Sequence, residues 1–159
     1  MSRRKVITVI LLSIPVLLFL LVVGGLASLS IFSPAPKSLG ATNGKLSPCP
    51  SSPNCVCSES DDGEHHIPPF AYTGDAKEAL ARLKRIIENE PRTRIVTSRD
   101  NYLHAEFTSL IFRYVDDVEF LIDDKAHVLQ VRSASRAGHS DLGVNRRRVE
   151  NLRAAFSKQ

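Results

Sequence analysis

The chain has 159 residues, 43% of them hydrophobic and 24% charged, with three cysteines, no tryptophan and a formal net charge of +4. Setting aside Arg3, Arg4 and Lys5 leaves the rest at +1, and a nearly neutral domain is a poor nucleic-acid binder. The basic balance therefore argues for membrane topology rather than for a polyanionic partner.

Residues 6–32 carry no charge and are dominated by Leu, Val and Ile, a length that spans a bilayer. Three cations precede this run and the next is Lys37, so the positive-inside bias puts the N-terminus in the cytoplasm. The expected layout is a cytoplasmic tail at 1–5, a single-pass signal anchor at 6–32, a flexible linker at 33–46 and an extracytoplasmic domain at 47–159. The expected location is the inner membrane, with the C-terminal domain in the periplasm. A cleaved signal peptide is the rival, since Gly25-Leu26-Ala27 offers small residues to a peptidase, but such peptides have apolar regions of only about 7–15 residues. The linker, rich in Pro, Ser and Gly, has too little apolar content to pack and reads as a spacer.

Cys49, Cys55 and Cys57 would sit in an oxidising compartment, which favours a disulfide and leaves one thiol over. A metal site would recruit these three with His65 and His66, but the zinc spacings are missing. No metal and no cofactor are expected.

Asp75 to Glu78 has the form of a capping box, and Ala76, Ala79, Leu80, Leu83, Ile86 and Ile87 recur at helical spacing before Pro91. Residues 94–98 and 102–108 read as two strands joined at Arg99-Asp100-Asn101. Residues 117–123 and 127–134 alternate again, with Val118, Phe120, Leu129 and Val131 inward. A last helix begins near Asn145, with Val149, Leu152 and Phe156 on one stripe. The expected fold is an α+β domain in the order α-β-β-β-β-α, a four-stranded, mainly antiparallel sheet with both helices on one face. The other face, carrying Tyr102, His104, Glu106, Glu119, Leu121, Gln130 and Arg132, is expected to be solvated. The alternative is a shallow groove where His104, Glu106 and Glu119 meet across strands.

Charge is unevenly placed. Residues 100–124 hold seven acids against Arg113, and residues 132–159 hold seven cations against Asp141 and Glu150, so the two blocks are expected to face one another. Asp116 and Asp117 invite an acid–base reading, yet adjacent strand residues point to opposite faces. The structural alternative gives one carboxylate a bidentate arginine, Arg136 or Arg147, and lets the other cap a strand end. His139-Ser140-Asp141 is no catalytic triad, because consecutive side chains cannot reach that geometry. The loop 133–143, with Arg136, His139 and Ser140 close to a helix start that Asn145 would cap, suits an anion. That anion is either a ligand or the protein's own Asp116 or Asp117.

The segments CPSSPNC at 49–55, DDVEF at 116–120 and SRAGHSDLGVNRRRVENLR at 135–153 resemble the bacterial and plastid family catalogued as domain of unknown function 1499. The resemblance covers nearly all of 46–156. Matching positions include Cys49, Pro53, Asn54, Cys55, Asp116, Asp117, Arg136, Gly138, Asp141, Gly143, Asn145 and Arg148. It implies a Cys49–Cys55 disulfide, with Cys57 standing where serine is usual, and it implies no reaction.

Two functions remain. The first is an extracytoplasmic binding or scaffolding domain for an anionic small molecule, a lipid headgroup or an envelope protein, using Arg136, His139, Ser140, Asn145, Asp116, Asp117 and His104. The second is a hydrolase-like enzyme in which Asp116 or Asp117 works with His104 or His139, and it requires a carboxylate pKa moved well away from about 3.9. The binding reading is preferred because it needs no reactive constellation.

Overall fold

The computed structural model describes residues 3–31 and 33–158, with the side chains of the first helix described over residues 11–25. The expected tail at 1–5 and the two ends of the expected anchor lie outside the described side chains. The elements in chain order are α1 (Arg3–Ile31), β1 (Ala41–Thr42), β2 (Lys45–Leu46), β3 (Cys55–Cys57), β4 (Phe70–Ala71), α2 (Ala76–Glu88), β5 (Thr93–Ser98), β6 (Tyr102–Thr108), β7 (Val115–Asp123), β8 (Val128–Ser135) and α3 (Val144–Phe156).

No helix among the described residues is long and apolar enough to cross a membrane. The described side chains of α1 cover only residues 11–25, fewer than the about 20 residues a span needs. Within them Leu11, Leu12, Val16, Leu17, Leu18 and Phe19 are all exposed.

Strands β5 to β8 form an antiparallel meander, each pairing with the next, and it lies where period-2 alternation placed it. Asp75 caps α2, accepting the Glu78 amide at 2.9 Å. One apolar cluster joins the inner stripes of α2 (Leu80, Leu83, Ile87) and α3 (Val149, Leu152, Phe156) to one face of the sheet, including Leu103, Phe120 and Val131. Both helices thus cover the same face. Phe70 seals the middle, edge-on to Phe120 at 5.3 Å and to Phe156 at 5.7 Å, with the Arg153 guanidinium 4.5 Å from its ring centre.

Three expectations need correction. The sheet has six strands rather than four, because β3 and β4 both pair antiparallel with the outer edge of β8. At three and two residues they are too short to show a period, yet each satisfies backbone groups that β8 would otherwise leave open.

The stretch 33–46, expected as a flexible linker, contains the β1–β2 hairpin. Asn43 and Gly44 both take positive φ, 53° and 73°, as a two-residue type I′ turn requires. Leu46 is buried against Tyr102 and Leu121.

The face away from the helices is therefore not solvated. Tyr102, His104, Glu119, Leu121 and Arg132 are all buried. Alternation fixes which side chains share a face, but the cover comes from the incoming chain.

Candidate functional site

The pleat puts Tyr102, His104 and Glu106 of β6 beside Leu121, Glu119 and Asp117 of β7, in register, with Arg132 of β8 opposite Glu119. Buried polar groups persist only when they are paired, and these are. Arg136, just beyond β8, forks onto Asp117: Nε donates to Oδ2 at 2.8 Å and Nη2 to Oδ1 at 2.7 Å. Nη2 also reaches Glu106 Oε1 at 2.6 Å, while Arg94 holds Glu106 Oε2 from the other side at 2.7 Å. His104 Nε2 donates to Asp117 Oδ1 at 2.8 Å. Glu119, fully buried, accepts from Arg132 Nη1 at 3.0 Å, from the Tyr102 hydroxyl at 2.7 Å and from the Gly40 amide at 2.7 Å.

Burial alone would raise the Asp117 carboxyl, but the hydrogen bonds from Arg136 and His104 outweigh it and hold the group below the usual carboxylate range. Glu106 is likewise lowered, burial being overcome by Arg94 and Arg136. The hydrogen bond to Asp117 in turn holds the Arg136 proton more firmly than usual. Burial first, and then the bond to Glu119, pushes the Tyr102 hydroxyl well above its ordinary value.

Asp116 points the other way, as strand alternation requires. It pairs with Arg148 of α3 at 2.5 Å, and that guanidinium lies 4.8 Å from the Phe107 ring centre. The acidic and basic blocks do face one another. Asp117 takes the bidentate arginine that was expected, from Arg136. Arg147, the other candidate, donates instead to the Leu142 carbonyl.

Asn145 is not the helix cap. It lies inside the first turn of α3, buried, where its amide donates to the Asn54 carbonyl at 3.0 Å and to Ser135 Oγ at 2.9 Å. Its oxygen accepts from Ser133 Oγ at 2.5 Å and from Arg148 at 2.7 Å. The carboxylate at the helix start is Asp141, which accepts the amides of Gly143 at 2.9 Å and Asn145 at 2.6 Å. Gly143, at φ 75°, makes the left-handed turn into the helix. An internal acid thus fills the anion position expected of this loop, although that acid is neither Asp116 nor Asp117. His139 and Ser140 are exposed and are not gathered with Arg136 and His104.

The loop before β3 is closed by a Cys49–Cys55 disulfide. Asn54 lies beneath it, donating to the Gly138 carbonyl at 2.6 Å. Cys57 is a buried free thiol whose pKa burial raises. Among the described residues no group of three or more His, Cys, Asp or Glu side chains is arranged to hold a metal.

Between the incoming chain and the polar face lies a cavity of about 400 Å³, lined by Pro36, Pro48, Cys49 and Pro50 on one side and by Arg132, Arg136 and the Arg136-paired Asp117 on the other. The Arg132 side chain is 6% exposed, and its Nε is buried without a hydrogen-bond partner. From the sequence, Glu119 is expected only as part of the alternative groove with His104 and Glu106, Arg132 only as a residue of that face, and Arg94 not as a site residue. The available signal was the in-register run of polar side chains across β6, β7 and β8. To act as acid or base, Asp116 or Asp117 would first have to release an arginine.

No curated protein and no solved structure matches this chain. The family model described as protein of unknown function (DUF1499) matches residues 45–156. That span contains the whole sheet, both helices of the domain, the disulfide and each of the interlocked side chains from Asn54 to Arg148, and the chain belongs to this family.

Proposed function

We propose that the chain is an inner-membrane protein of the cell envelope, anchored through residues 6–32 with its N-terminus in the cytoplasm and residues 47–159 in the periplasm. That domain binds or scaffolds an anionic small molecule, a lipid headgroup or a partner protein. The charge-free run after Arg3, Arg4 and Lys5, and the exposure of the large apolar side chains from Leu11 to Val22, support the anchor. A native disulfide supports an oxidising compartment.

The observation that carries the binding reading is Arg132. Its Nη1 serves Glu119, its Nε lacks a partner despite burial, and it floors a cavity beside a second arginine. That Nε is sealed from the cavity, so an anionic group there would pair with the remaining guanidinium edge of Arg132 and with Arg136, charge-assisted bonds worth about 1.5–3 kcal/mol each. The carboxylates of the same face are engaged by arginines, which favours binding over acid–base turnover.

The test is native mass spectrometry of the full-length protein released from its own membranes. A co-purified anionic mass is expected on the wild type and absent from Arg132→Met, whose thermal melt shows whether it remains folded. A folded Arg132→Met variant that keeps the same adduct would contradict the assignment of the site.

A further inference from the structure

The loop joining β6 to β7 exposes two adjacent aliphatic side chains at its tip. Its ends are tied, Ser109 N to the Tyr114 carbonyl and Tyr114 N to Ser109 Oγ, each at 2.8 Å. The tip so formed projects Leu110 and Ile111, 69% and 63% exposed, into solvent. Phe112 and Tyr114 of the same loop are in contact, with ring centres 5.7 Å apart and planes tilted by 35°. Arg113 and Arg92, both exposed, flank the pair. Loop tips are ordinarily polar, so a tied tip with two bare aliphatic side chains, an aromatic pair and a cationic rim needs an occupant.

The position of the tip identifies one. Arg136 N binds the Val115 carbonyl at 3.1 Å, so the exit of β8 lies at the strand end from which the loop projects. Pro36 and Ser38 line the same cavity as Ser135 and Arg136, so the chain leading from α1 meets the sheet at that end as well. Only a few residues separate Ile31 from Pro36, and fully extended they reach no more than about 18 Å. The tip and the end of α1 are thereby confined to the same end of the domain.

We infer that residues 109–114 dock on the surface of the bilayer holding α1. Leu110 and Ile111 enter the acyl boundary, the aromatic pair lies at headgroup level and the arginines meet lipid phosphates. This inference rests on the anchored reading of α1. It gives the domain a fixed pose, the tip against the membrane and the 124–127 turn at the far end of the sheet.

The absence of native tryptophan makes single-tryptophan variants clean reporters. The full-length protein would be reconstituted in vesicles of phosphatidylcholine and phosphatidylglycerol, with and without chain-brominated lipid. Three variants are compared: Leu110→Trp, Lys125→Trp at the opposite end, and Leu17→Trp within α1. The expected result is bromolipid quenching and a blue shift for Leu110→Trp, quenching for Leu17→Trp, and neither for Lys125→Trp. Quenching of Leu17→Trp with Leu110→Trp no more quenched than Lys125→Trp overturns docking while leaving the anchor in place. A blue-shifted but unquenched Leu110→Trp assigns the tip to a second protein surface and also overturns it. An unquenched Leu17→Trp removes the anchor and this inference together.

Discussion

The Gly40 amide donates to the fully buried carboxylate of Glu119, 79 residues away, at 2.7 Å. Through that bond the chain entering the domain is stitched to the middle strand of the sheet, and Tyr102 and Arg132 complete the carboxylate's shell. The hairpin then continues to Leu46, packed on Tyr102 and Leu121. The polar face is an interior layer because its cover arrives from the N-terminal side.

Arg136 neutralises both Asp117 and Glu106. Removing it leaves the buried Asp117 without its main partner, a setting in which breaking such a pair costs about 3–5 kcal/mol, while Glu106 keeps Arg94. Arg136→Met is expected to lower the urea midpoint accordingly, and Asp117→Asn combined with it to cost less than the two single changes added. Strict additivity in that double-mutant cycle would contradict coupling.

The acid limb of stability follows from the same residues. Asp117 and Glu106 are held below their ordinary values, so their stabilising contribution is fully present above about 3.9 and 4.3, the unfolded-state values. It is lost as pH falls through the lower folded-state values. Urea midpoints of the wild type are expected to hold from neutral pH to about 5 and to fall below 4, with the gap to Arg136→Met narrowing there. A gap that widens on acidification would contradict this sign.

Asp141 and Asn145 organise the start of α3 differently, and their variants should separate. Asp141→Ala removes acceptors from two helix amides and is expected to cost about 1 kcal/mol. Asn145→Ala removes four side-chain hydrogen bonds at once, to the Asn54 carbonyl, which keeps the Ser135 amide, and to Ser133, Ser135 and Arg148, a larger loss of about 2–3 kcal/mol. Equal losses in equilibrium unfolding would count against the hub role of Asn145.

Cys57 is buried and its thiol pKa raised by that burial. Alkylation of the native, oxidised protein at neutral pH is expected to be slow, with one thiol appearing on denaturation. Rapid labelling of Cys57 in the folded protein would show that β3 opens readily.

The parts of this fold that were legible in the sequence are those long enough to show a period. Asp75 and the 3.6-residue stripe marked α2, and alternation over β5 to β8 named the residues of each face. Phe70–Ala71, behind Pro68 and Pro69, offers no such run, and β3 is hidden inside the cysteine loop. The Asn43-Gly44 dipeptide was a local hairpin signal, but its flanking strands lack hydrophobic alternation, so composition alone spoke for a linker. Charge segregation marked one of Asp116 and Asp117 as the partner of Arg136 or Arg147, and the fold selects Asp117 with Arg136. The assignment of Arg148 to Asp116, and of Asp141 to the helix start, depended on the turn of α3 and had no one-dimensional signature.

The central claim is that the polar face holds an anionic group beside Arg132. The most direct test is an experimental structure of the whole chain purified from the cells that make it, with the disulfide intact. Density for an anionic group within hydrogen-bonding distance of the Arg132 or Arg136 guanidinium, in the cavity lined by Pro36 and Pro48, is the expected result. A cavity without such density, or closed by protein side chains, would contradict it and leave Arg132 and Arg136 as builders of the domain alone.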